Sequence, residues 1–304
     1  MTSHLITAAA AGTWQLGDLT VNRIGFGAMR LTQNGAAFGD DRGPHDRDRA
    51  VAVLRRAVEL GVNHIDTAAF YFSPRRSANE LINSALGPCT DDLVIATKVG
   101  PGRGPSGDWL DWARPGQLRG QVEENLRQLG RDHLDVVNLR VNGPAPIAES
   151  FGALAELQKE GFIRHLGLSN VWPEQIAEAL AIAPVVCVQN RYGIGTRRAD
   201  AEEVLRTCGE LGIAFVPFYS IAGDAGQSGA DRSAEDEALL DVARAHDASP
   251  AQVRLAWTLQ RAPHVLAIPG TGDPDHLEAN VAAGALRLTD EEVRRLAELG
   301  RDAG

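Results

Sequence analysis

Short apolar runs alternate with longer amphipathic stretches along almost the whole chain. The runs are Ile24–Phe26, Asn63–Asp66, Leu93–Thr97, Leu134–Leu139, Ile163–Leu168, Val185–Val188, Ile213–Val216 and Val265–Ile268. They are rich in Val and Ile, as expected of strands buried on both faces of a parallel sheet. The stretches between them repeat at helical spacing. Helices are predicted over Arg47–Leu60, Ala78–Leu86, Gly116–Leu129, Ile147–Glu160, Pro173–Ala181 and Asp200–Leu211, most of them stopped by a glycine. Helices end at Gly61, a C-cap position, and at Gly87, Gly130, Gly161 and Gly212. Glu235–His246 and Pro250–Arg261 fill the last crossover, and Asp273–Ala283 and Thr289–Leu299 follow the eighth run. Ahead of all this, Thr13–Arg23 reads as a β-hairpin turning at Gly17-Asp18.

Eight strands alternating with helices predict an α/β chain folded as a (β/α)8 TIM barrel, with an N-terminal hairpin and extra C-terminal helices. A doubly wound sheet is the rival reading. It would want a glycine-rich phosphate turn opening its first helix, and Gly25-Phe26-Gly27 lacks the third glycine. No linker separates two halves, so residues 1–304 read as one domain, with 1–12 as a loose tail.

Composition narrows the partners. The chain has 304 residues, 44% hydrophobic and 23% charged, and a net charge of −10. Without a basic block, nucleic acid and anionic membranes are excluded as partners. No run approaches the roughly 18 apolar residues of a membrane span, and the first residues lack the basic start of a signal peptide. Cys89, Cys187 and Cys208 are widely spaced, without a CxxC pair. That argues against disulfides and zinc, and places the protein in a reducing cytoplasm without a metal site. Of the 30 basic residues only Lys98 and Lys159 are lysines, leaving 28 arginines. A lysine kept in such a background asks what arginine could not do there.

In a barrel the site lies at the C-terminal ends of the strands. Strand two ends in Asp66, with Tyr71 five residues on, and strand three ends in Thr97-Lys98. Strand four ends near Asn138 and Arg140, strand five in Ser169-Asn170 and strand six in Gln189-Asn190; strand seven leads into Phe218-Tyr219-Ser220. Asp, Tyr and Lys together suggest proton transfer at a carbonyl. An ammonium beside a phenol favours the phenolate and eases proton donation near neutral pH.

These residues resemble the motifs of the aldo-keto reductase superfamily. His64-Ile65-Asp66-Thr67-Ala68-Ala69-Phe70-Tyr71 resembles its D-T-A-x-x-Y, and Ile95-Ala96-Thr97-Lys98 its strand-three lysine. Gly167-Leu168-Ser169-Asn170 resembles G-x-S-N, Val188-Gln189-Asn190 the Q-N pair, and Ile268-Pro269-Gly270-Thr271 with His276 and Asn280 the cofactor clamp. The resemblance implies an oxidoreductase that passes hydride from NADPH, with NADH as a possible substitute, to a small-molecule aldehyde or ketone. Tyr71 would be the general acid, Lys98 its modulator and Asp66 the partner of Lys98. Ser169, Asn170 and Gln189 would hold the nicotinamide carboxamide, and Phe218 would stack on its ring. Gly27 and Met29 would join the cofactor site at the end of strand one. Gly270, Thr271, His276 and Asn280 would line the adenosine and 2′-phosphate end, with the helix beginning near Asp273 offering amides to phosphate.

Two departures stand out. The family's fourth catalytic residue is a His, and the matching position is Arg140. An arginine does not deprotonate in a protein and so cannot replace the acid, although it donates hydrogen bonds. Together with Asn138-Leu139 it resembles the bacterial pyridoxal reductase-like branch. At the other end His276 stands for a phosphate-pairing Arg and Gly270 for a common Lys, a weaker phosphate site. Trp109 and Trp112, in the loop after strand three, are expected to wall an aromatic substrate pocket. The reading is therefore a carbonyl reductase, with pyridoxal to pyridoxine as the favoured conversion. The change at Arg140 keeps a cofactor-binding regulatory subunit with little turnover open as the alternative. Lysine Schiff-base chemistry at Lys98 fits the tyrosine and the clamp poorly. A monomer or small homo-oligomer is expected.

Overall fold

The computed structural model describes residues 6–32, 46–73, 75–87, 92–221 and 237–299. The hairpin pairs β1 (Thr13–Leu16) with β2 (Leu19–Asn22), Trp14 opposite Val21, about a left-handed Gly17. Seven parallel strands follow in consecutive order: β3 (Phe26–Gly27), β4 (His64–Asp66), β5 (Val94–Val99), β6 (Leu134–Arg140), β7 (Ile163–Ser169), β8 (Val185–Gln189) and β9 (Ala214–Phe215).

The eighth predicted run, Val265–Ile268, is not a continuous strand but still closes the barrel. Val265 bridges Phe215 on one side and Ala267 bridges Ile24 on the other. Leu266 N donates to Phe215 O at 2.9 Å, and Gly25 N to Ala267 O at 2.8 Å. Pro263 and Pro269 flank the eighth run and have no amide to donate to a ladder.

Helices α1 (Arg47–Glu59), α2 (Ala78–Leu86), α3 (Leu118–Leu129), α4 (Ala148–Lys159), α5 (Pro173–Leu180) and α6 (Ala201–Glu210) follow β3 to β8 in turn. The crossover after β9 carries α7 (Glu237–Ala245) and α8 (Pro250–Gln260), and α9 (Pro274–Ala282) and α10 (Asp290–Glu298) end the described fold. Among the described residues no helix is long and apolar enough to cross a membrane.

The hairpin is a floor. Trp14, Leu16, Leu19 and Val21 pack against inward residues of the barrel, among them Val94, Val136, Ala214 and Leu266, and close its N-terminal end. Residues 6–12, taken from sequence as part of a loose tail, are not loose. Ala8–Ala11 forms a 3-10 turn with Ala8 and Ala11 buried, and Ala8 N donates to Leu60 O at 2.8 Å. Its run of alanines packs close to the barrel with no large side chain to place. Arg23 clasps the seam between first and last strands, donating to Val265 O at 3.1 Å, Ala11 O at 3.2 Å, Ala262 O at 2.8 Å and Leu259 O.

Candidate active site

Residues alternate along a strand, so Asp66 and Lys98 point into the barrel while their neighbours Thr67 and Thr97 point toward the helices. Lys98 Nζ lies 2.7 Å from each carboxylate oxygen of Asp66 and 3.0 Å from Thr67 O. The ammonium sits 4.8 Å from the centroid of the Tyr71 ring. All three side chains are buried, Lys98 to 2% exposure. From across the barrel, Gln189 Nε2 donates to Asp66 Oδ1 at 2.8 Å.

Burial and charge set the protonation states. Burial raises the Tyr71 phenol above its ordinary value, and Asp66 adds to this, while Lys98 and Arg140 pull it back. Burial works against the Lys98 ammonium, but Asp66 and Tyr71 outweigh it and its pKa is raised. The result is a charged lysine beneath a protonated tyrosine. Such a phenol gives up its proton with its counter-cation already in place.

Tyr71 opens on a cavity of about 470 Å³ at the C-terminal ends of the strands. Of the residues singled out in the sequence, Gly27, Met29, Asp66, Arg140, Gln189, Phe218, Gly270 and Trp109 line it with Tyr71. Arg140 is half-buried, donates to Ser169 Oγ at 3.3 Å, and lies 5.3 Å over the Phe218 ring. Gly27 and Gly270 meet backbone to backbone at one edge. A Cβ on Gly27 would lie 2.6 Å from Ile268 O, and one on Gly270 2.5 Å from Gly27 O, so a side chain at either position would collide with the facing backbone.

Other expected residues are placed differently. Trp112 is absent from the cavity wall; its ring packs over the Gly100 turn. Trp109 faces Phe70 at 5.9 Å and is the wall. Ser169 is fully buried behind Arg140, and Asn170, with φ +61°, donates its side-chain amide to Val141 O at 3.1 Å instead of facing the cavity. Thr271, His276 and Asn280 lie beyond the cavity, on and before α9. The amides expected to receive phosphate are already taken. Asp273 Oδ1 accepts from Asp275 N at 2.9 Å and His276 N at 3.2 Å, and its other oxygen pairs with Arg49. These backbone bonds, the one to His276 foremost, hold the Asp273 carboxyl below the usual range.

Sequence reasoning passed over Phe70, which walls the cavity, and Asn79 and Asn125, which are buried behind it. The signal for the last was present. Gln121, Asn125 and Gln128 form a polar i, i+4, i+7 stripe on α3, which no exposed face requires.

A model of the Aldo/keto reductase family matches residues 23–301. Over 300 residues the chain is 45% identical to pyridoxine 4-dehydrogenase of Escherichia coli (strain K12), an alignment that spans 96% of this chain and 100% of that protein. Among solved structures, an aldo-keto reductase from Klebsiella pneumoniae in complex with NADPH superposes with a TM-score of 0.74 at 28% identity, over 91% of this chain and 90% of that one. The holo form of an aldo-keto reductase from Bacillus halodurans gives a TM-score of 0.74 at 27% identity, over 95% and 98%.

Proposed function

This chain belongs to the aldo/keto reductase family, whose members interconvert carbonyl and alcohol groups with NADP(H), and from that premise we propose that it reduces an aromatic aldehyde of the pyridoxal type. The observation that carries the reading is the buried Lys98–Asp66 pair under a phenol that opens on an aromatic-walled cavity. The site also fits the cofactor. Gln189 Oε1 is buried without a hydrogen-bond partner among the described residues, on a side chain that lines the cavity. An amide N–H is the group it lacks, and a nicotinamide carboxamide has one. The Gly27–Gly270 contact, a cradle without side chains, forms one edge of the same cavity. Gln189, Phe218 and the cradle would hold the nicotinamide half, and residues 271–280 the adenosine half.

The bound nicotinamide supplies hydride to the carbonyl carbon. The rest is done by the chain. Tyr71 donates its proton to the carbonyl oxygen as charge develops there. Lys98 stabilises the phenolate left behind, and Asp66 keeps that ammonium charged and in place. The part of Arg140 is to donate hydrogen bonds to the developing oxygen charge or to an anionic ring substituent. Trp109 and Phe70 offer flat apolar walls to an aromatic ring. We place the activity in the cytoplasm, where the free thiols of Cys187 and Cys208 stay reduced, and in a single chain or small homo-oligomer.

The test is loss of NADPH absorbance with pyridoxal and a panel of aromatic aldehydes, for the wild type and Tyr71→Phe. Turnover abolished in Tyr71→Phe with NADPH binding intact is expected. A Tyr71→Phe enzyme with wild-type kcat sinks the assignment of the acid. No turnover with any carbonyl points to the cofactor-binding role instead.

A further inference from the structure

Directly behind the catalytic pair lies a chain of four polar side chains, Thr67, Asn79, Thr97 and Asn125, each with zero exposure. Thr67 Oγ1 donates to Asn79 Oδ1 at 2.7 Å, and Asn79 Nδ2 donates to Asn125 Oδ1 at 2.9 Å and Gln128 Oε1 at 3.1 Å. Thr97 Oγ1 donates to the same Asn125 Oδ1 at 2.6 Å, and Asn125 Nδ2 donates to Gln121 O at 2.8 Å. The donor and acceptor capacity of both asparagines is almost filled. A buried polar network is costly unless satisfied, and once satisfied it specifies one arrangement.

Its placement is not incidental. Thr67 follows Asp66 and Thr97 precedes Lys98, so each catalytic residue has an outward-facing neighbour tied to a helix. The carbonyl of Thr67 is also the third acceptor of the Lys98 ammonium, at 3.0 Å. These contacts hold the ammonium 4.8 Å from the centre of the Tyr71 ring, where it also acts on the phenol hydroxyl. The first turn of α2 grips the intervening loop twice. Asn79 holds the Thr67 hydroxyl, and the amide of the preceding residue, Ala78, donates to Tyr71 O at 2.9 Å. One helix turn thus sets both ends of the segment between Thr67 and Tyr71.

We propose that Thr67, Asn79, Asn125 and Thr97 are positioning residues that aim the Lys98 ammonium at the Tyr71 hydroxyl and so tune the acid. The inference rests on the function proposed above. The charged groups acting on Tyr71 are Lys98 from β5, Asp66 from β4 and Arg140 from β6. Loosening the frame leaves all three in place and changes only how closely the ammonium is held.

The experiment compares Thr67→Val, which keeps shape and loses the hydroxyl, with Thr67→Ser, which keeps the hydroxyl, and adds Thr97→Val from the lysine side. The readouts are kcat and KM across pH, NADPH affinity, and ultraviolet titration of Tyr71 by difference from Tyr71→Phe. For Thr67→Val, kcat should fall about tenfold, the scale of one mispositioned hydrogen bond to a charged group, with KM and NADPH affinity nearly unchanged. The Tyr71 titration should move upward, because a looser ammonium stabilises the phenolate less. Thr67→Ser should behave as wild type, and Thr97→Val should shift the titration in the same direction. Folded valine variants with wild-type kcat and an unmoved titration overturn the proposal, as does a serine variant as impaired as valine. If Thr67→Val does not fold, Thr97→Val and Thr67→Ser decide it alone. Activity retained in Tyr71→Phe would refute the proposed acid, while the titration would still report on the frame.

Discussion

Arginine is the cation this chain uses nearly everywhere, so Lys98→Arg is the informative substitution at the one buried lysine. It keeps the charge beside Asp66 and changes only the shape of the donor. Lys98 Nζ contacts both Asp66 oxygens at 2.7 Å and Thr67 O at 3.0 Å, at 2% exposure. A guanidinium matches a carboxylate in one plane through two parallel N–H groups. In that pose its remaining donors lie in the same plane and leave the Tyr71 hydroxyl unsupported. A hydrogen bond to a charged group contributes about 1.5–3 kcal/mol, and each 1.36 kcal/mol is tenfold in rate, so kcat should fall roughly 10- to 150-fold. The larger head group should also destabilise the fold by about 1–3 kcal/mol through overpacking. The assay is kcat with saturating NADPH and an aromatic aldehyde, with the melting temperature and NADPH affinity measured in parallel. Lys159→Arg is the control, since Lys159 is exposed and paired with Glu156 at 2.8 Å, and it should change neither rate nor stability. Lys98→Met separates charge from shape. It leaves Asp66 a buried anion without its cation, a loss of about 3–5 kcal/mol in stability. A Lys98→Arg enzyme within twofold of wild-type kcat would refute the reasoning, because donor geometry would then be irrelevant to the acid.

Two further outcomes follow from other parts of the molecule. Asp273→Ser keeps a cap for α9 but removes the carboxylate from the amides of Asp275 and His276. If the cofactor's 2′-phosphate approaches those amides, the ratio of NADPH to NADH affinity should rise by roughly tenfold, as expected for relieving one close like-charge contact, and an unchanged ratio would place the phosphate elsewhere. His64 is buried over Gly25, and burial pushes its pKa down from 6.5 to about 4 against a weaker opposing pull from the Asn22 backbone. Between those values the unfolded chain binds more protons, so stability should decline as pH drops from 6.5 toward 4, by at most about 3 kcal/mol, and level off below. His64→Leu should flatten that slope in urea titrations, and an identical slope in the variant would mean that other groups cause it.

The barrel was legible because its punctuation is local. Gly61, Gly130, Gly161 and Gly212 do adopt the left-handed conformation that ends a helix, and the apolar runs between them have one way to be buried. Asp66, Tyr71 and Lys98 were legible because strand ends converge on one mouth. Trp109 and Trp112 show where this stops. Two tryptophans in one loop have equal standing in sequence, and only the folded loop shows that Trp109 reaches the cavity while Trp112 packs over Gly100. Asn79 and Asn125 were hidden for a different reason. An asparagine on an amphipathic helix looks like a solvated position until its partners on two other elements are in view. Asp273 was read as the start of a phosphate-binding helix, while its own carboxylate is the anion there. A capping residue and an anion site use the same amides, and sequence alone does not say which claim prevails.

The seam between first and last strands carries one more consequence. It holds one isolated bridge, Ile24 to Ala267, with Arg23 reaching across to the carbonyls of Val265, Leu259 and Ala262, whereas β6 and β7 share six paired positions. Both margins of the Gly27–Gly270 cradle lie on this seam, one before and one after it in space, yet more than two hundred residues apart along the chain. A nucleotide seated there would act as a rivet through a thinly paired joint of the barrel. Amide exchange along residues 23–27 and 265–270 should then slow on cofactor binding far more than exchange in β6, which makes ligand occupancy a mechanical property of the fold as well as a chemical one.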